Sequence, residues 1–86
     1  MAKTIHRNEY RALLKLLKEH RVRAGITQTQ VSTALERSQS FMSDIERGVR
    51  RLDLVELRDI CAVLKLGLKE FVQDFEQALP RRQKRS

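Results

Sequence analysis

Apolar residues recur along the chain every three or four positions, in short stripes separated by polar turns, and no run reads as a strand. Tyr10, Leu13, Leu14 and Leu17 form the first stripe and predict a helix from about Arg7 to Ala24 that stops at Gly25. Thr27 can cap the next, with Gln30 returning the hydrogen bond in a capping box and Val31 and Leu35 on the inward side. Glu36, Arg37 and Ser38 break the pattern. Met42 and Ile45 resume it, and Gly48 can take the left-handed conformation that ends a helix. Asp53 and Glu56 repeat the capping-box signal before a stripe of Leu57, Ile60, Cys61 and Leu64, expected to stop at Gly67. Leu68, Phe71, Val72 and Phe75 mark a last helix that ends before Pro80. The expectation is an all-α fold of five helices in one domain over residues 1–80, followed by a basic, disordered tail over 81–86.

The segment TQTQVSTALERSQSFMSDIERG, residues 27–48, is then a helix, a tight polar turn and a second helix held by one narrow apolar edge. This is the layout of a helix-turn-helix unit. Gln39, Ser40, Ser43, Asp44 and Arg47 remain for the outside, and such donors and acceptors suit base edges in a major groove. Gln39 can pair bidentately with adenine, Ser40 and Ser43 can donate or accept, and Asp44 can accept from cytosine N4 while repelling phosphates. Phe41 stands beside this polar face; packing against the preceding helix is the expected use, contact with a thymine methyl group the alternative.

From about Tyr10 to Leu79 the chain resembles the lambda and 434 repressor/Cro class of helix-turn-helix proteins, often called the XRE family. The resemblance is carried by RVRAGITQTQV, SQSFMSDIERG and LDLVELRDICAVLKLGL, in that order and spacing. It implies a lambda-repressor-like DNA-binding domain in which Gln28 contacts a phosphate and Arg21 of the first helix pairs with Glu46 of the third to orient the reading helix. The chain departs from the pattern twice. Glu36 stands where family members often have Gly or Asn, and Ser32 where they usually have Ala.

Charge agrees with a polyanionic partner. The net charge is +7 and the isoelectric point about 10.3, but Arg81, Arg82, Lys84 and Arg85 supply four of those charges, leaving +3 on the rest. Placement therefore matters more than total. Arg37, Arg47, Arg50 and Arg51 bracket the proposed reading helix where flanking phosphates would lie, with Ser38 beside them, and the amides opening the second helix suit a phosphate as well. The plainer alternative for each is a solvated charged surface. Phe71, Phe75 and Leu79 form a large apolar surface for the last helix of a small domain, and are read as a dimer seam.

Other function classes lack their residues. His6 and His20 are the only histidines, Cys61 is alone, and no Gly-rich phosphate loop follows a strand, so neither catalysis, a cofactor nor a metal site is expected. Cys61 on an apolar stripe reads as a buried reduced thiol. MAKTIHRNEY has no secretory apolar stretch and no span is long enough for a membrane, which predicts a cytoplasmic protein, nucleoid-associated when bound to DNA. The expected function is a sequence-specific transcriptional regulator, a repressor binding a palindromic operator of double-stranded DNA as a homodimer. The rival is an antitoxin-type module that covers a partner protein, a toxin or other effector, and autoregulates its operon.

Overall fold

The computed structural model describes residues 7–79. They form five helices and, among the described residues, no strand: α1 (Asn8–Arg23), α2 (Gln28–Ala34), α3 (Phe41–Glu46), α4 (Leu54–Val63) and α5 (Leu68–Ala78). The basic tail, residues 81–86, lies outside the described residues.

Each stripe supplies the core. Leu14 and Leu17 of α1, Val31 of α2, Phe41, Met42 and Ile45 of α3, Leu57, Ile60 and Cys61 of α4 and Phe71 of α5 are buried together, with Leu64 just past α4. α3 packs on α1 and α2, while α4 and α5 pack on each other and reach α2 and α1 respectively. His20 Nε2 and Asp74 Oδ2 meet at 3.1 Å, tying α1 to α5, and the Tyr10 hydroxyl accepts from the Leu52 amide at 3.2 Å, holding the α3–α4 connection.

Both capping boxes form, at Thr27–Gln30 and at Asp53–Glu56. The four helix ends from α1 to α4 close alike. In each, the residue after the C-cap turns left-handed, and two amides fold back onto carbonyls of the last turn, as in Glu36 N to Thr33 O and Arg37 N to Ser32 O, both 2.9 Å. The left-handed residues are Gly25 (φ 74°), Glu36 (φ 58°), Gly48 (φ 78°) and Lys65 (φ 59°).

Two sequence expectations are corrected here. α4 does not stop at Gly67; Lys65 makes the left-handed turn, and Gly67, in an extended conformation, opens α5 instead. Phe71 is not available to a dimer seam, because its ring is wholly buried in the domain's own core. Phe75 and Leu79 are half-buried, and the large apolar side chains that α4 and α5 present outward are Leu54, Val55 and Val72, 65%, 67% and 40% exposed.

Candidate nucleic-acid interface

α3 has only six residues, far too few to be stable alone, so its geometry is set by what it touches. Its inner side is Phe41, Met42 and Ile45. At its start, the amide of Met42 is satisfied across the turn, donating to the hydroxyl of the buried Ser32 at 3.1 Å. Ser32 thus serves as a cap supplied by the neighbouring helix, closing one of the amides a helix start leaves open. Gly48 closes the other end.

Arg21 and Glu46 face each other across α1 and α3. Arg21 Nε and Nη2 donate to the two carboxylate oxygens at 2.6 and 3.1 Å, and Nη1 donates to the Ile26 carbonyl at 2.8 Å. Their side chains are 10% and 5% exposed. Gln28 Nε2 also donates to Glu46, at 2.8 Å, so the glutamine at the start of α2 is anchored to the same carboxylate. Bidentate geometry with little solvent makes this the most directional polar contact between the helices.

Gln39 and Ser40 lie in the turn leading into α3, and both are exposed; the hydroxyl of Ser40 makes no capping hydrogen bond. Ser43 spends its proton on the Ser40 carbonyl at 3.1 Å, and Asp44 is engaged by Arg47 at 2.7 Å. Arg47 and Asp44 therefore form a pair on the outer face, the cation partly masking the charge of the carboxylate.

Arg37 and Arg50 have a partner that the sequence did not reveal. Both donate to Glu56 Oε2, at 3.4 and 2.6 Å, while Glu56 Oε1 accepts from the Asp53 amide to complete the α4 cap. Both guanidinium groups also lie over the ring of Phe41, 4.3 and 5.1 Å from its centroid. Burial raises the pKa of Glu56, but the hydrogen bonds from Arg50, the Asp53 backbone and Arg37 together with the Arg50 charge outweigh it and hold the carboxyl below its ordinary value. Phe41 is itself buried, so it has no face to give a thymine methyl group. Ser38 and Arg51 are exposed on either side of α3.

Among the described residues no cluster of His, Cys, Asp or Glu could hold a metal, and no helix is long and apolar enough to cross a membrane. Burial pushes the Cys61 thiol up to about 11.

Comparison with known proteins agrees with this geometry. A family model described as a helix-turn-helix domain matches residues 12–71. An XRE-family like protein from Pseudomonas syringae pv. tomato str. DC3000 is similar in structure, with a TM-score of 0.81 and 42% sequence identity over 90% of this chain and 94% of that one. No curated protein matches. With most of its length matched to the domain and the fold shared at substantial identity, the chain belongs to the XRE family of helix-turn-helix DNA-binding regulators.

Proposed function

We propose that the protein is a sequence-specific transcriptional repressor that binds a palindromic operator as a homodimer, with α3 in the major groove. The observation that carries this reading is the fixed, outward polar edge from Gln39 to Asp44, held by the Arg21–Glu46–Gln28 network and by Ser32. Gln39, Ser40, Ser43 and Asp44 read bases. Gln28, Ser38, Arg37, Arg47, Arg50 and Arg51 contact phosphates, and for Arg37 and Arg50 this means exchanging the Glu56 carboxylate for phosphate oxygens.

One unit reads few base pairs, and two reading helices about 34 Å apart give useful discrimination on a palindrome. The exposed apolar residues Leu54, Val55 and Val72, with the half-buried Leu68 at the start of α5, support a second copy docking there. That surface also favours a second reading, in which it covers a partner protein such as a toxin.

The test is a titration of wild type and Gln39→Ala on a duplex selected from a random pool and on a scrambled duplex, beside sedimentation. Gln39→Ala is expected to cost about 1–3 kcal/mol per half-site on the selected duplex and little on the scrambled one. Equal losses on both remove α3 as reader. A wild-type monomer that binds a palindrome tightly removes the dimer, and Val55→Glu sedimenting like wild type removes this seam.

A further inference from the structure

We propose that the cleft between α1 and the end of α3 is a second DNA-backbone contact, gripping phosphates beyond the bases that α3 reads; this rests on the DNA-binding reading above. The cleft has a volume of about 470 Å³. Arg11, Lys15 and Lys18 of α1 line one wall, Arg47 and Gly48 at the end of α3 the other, and Leu14 lies beneath Gly48.

The charge there is only partly compensated: Arg47 pairs with Asp44 at 2.7 Å, and the three α1 cations carry most of the open charge. The only carboxylate in the lining, Glu46, is buried and already engaged by Arg21 and Gln28. Lys15 reaches Glu19 at 3.9 Å, but both side chains are well exposed and such a pair contributes little. Among the described residues, Arg11 and Lys18 make no ion pair.

Spacing and position select a polyanion over a small anion. Positions 11, 15 and 18 fall on one face of α1 and extend about 10 Å along it, comparable with the rise of about three phosphates of one DNA strand. Glu46 borders both the cleft and the start of α2, so one rigid network fixes the cleft relative to the reading edge. A strand passing the end of α3 therefore meets Arg47 first and the α1 cations next.

The test compares three proteins on a duplex selected from a random pool and on a scrambled duplex, over a range of salt. They are wild type, the cleft variant Arg11→Gln/Lys15→Gln/Lys18→Gln, and a control with equal charge loss elsewhere, Arg58→Gln/Lys65→Gln/Lys69→Gln. Thermal melting shows that each variant is folded. The cleft variant is expected to lower the log–log salt slope by about 2 to 3 on both duplexes without changing base preference, and the control to lower it much less. An equal drop in the control reduces the effect to net charge and overturns the cleft. An unchanged slope in the cleft variant, with wild type still discriminating the two duplexes, overturns the cleft and leaves α3 as reader. A wild type that binds neither duplex overturns the functional reading and the cleft together.

Discussion

Replacing Arg21 with Met removes three donors from the interior at once: two to Glu46 and one to the Ile26 carbonyl. The Glu46 carboxylate, 5% exposed, is left with Gln28 Nε2 as its one remaining side-chain donor among the described residues, at 2.8 Å. Stranding one partner of a buried pair costs about 3–5 kcal/mol. The low exposure of both side chains keeps that range applicable here. In a domain of this size each kcal/mol moves the melting temperature by roughly 4–8 °C, so a fall of at least about 12 °C is expected. Glu46→Leu should fall similarly, since it strands the guanidinium. The double variant Arg21→Met/Glu46→Leu leaves no charge stranded and should be more stable than either single variant, because paired burial is little better than apolar filling. It should not recover DNA affinity, since Gln28 has lost its anchor. Circular dichroism melts of the four proteins, with a binding titration of the double variant, give both readouts. Single variants within about 0.5 kcal/mol of wild type, or losses that simply add in the double variant, would refute the reasoning.

Four further outcomes are expected. Glu36→Gly relieves a left-handed conformation costing an L-residue about 1–2 kcal/mol, less about 0.5–1 for glycine's chain entropy, so urea unfolding should show a gain of about 0.5–1 kcal/mol. Ser32→Ala leaves the Met42 amide without its acceptor, and the same assay should show a loss of about 1–3 kcal/mol. The Cys61 thiol, buried and with its pKa raised to about 11, should resist alkylation at pH 8 in the native protein and react only as the chain unfolds; rapid labelling of native protein would contradict its burial. Glu56 has a folded pKa below its ordinary 4.5, so its contribution to stability is present above that value and lost as pH falls through the lower folded one. Acid titration should therefore cost wild type more stability below about pH 4.5 than it costs Glu56→Gln; parallel curves would contradict the Glu56 contacts.

The helices were legible because their signals are local. Caps three residues apart and apolar spacing of three and four can be read without knowing the fold, and both capping boxes form where the sequence places them. What escaped was which of several equivalent local signals wins. Gly67 looked like the stop of α4, yet Lys65 turns left-handed there, because the stripe already ends at Leu64 and the chain must reverse at once to bring α5 back onto α4. Periodicity put Phe71 and Val72 on one stripe but could not tell that the core takes the first and leaves the second outside. Glu56 was visible as a cap. Its other oxygen binds Arg37 and Arg50, one of them nineteen positions away, and no local pattern encodes that.

These hidden contacts bear most on α3. Six residues cannot offset the nucleation cost of a helix on their own, so the order of the proposed reading edge comes from tertiary contact. Three core side chains fix its depth, Ser32 fixes where it starts, Gly48 where it ends, and Arg21 its rotation about its own axis. Gln39 and Ser40 lie just before the helix, between the strained Glu36 turn and the Ser32–Met42 hydrogen bond, so their positions depend on that short bracket more than on the helix itself. The two departures from the family pattern, Glu36 and Ser32, sit at its two ends. One adds strain and the other adds a hydrogen bond, and their opposing energies are of similar size. The turn proposed to read bases is therefore bracketed by these two residues, Glu36 at its start and, through the Met42 amide, Ser32 at its end.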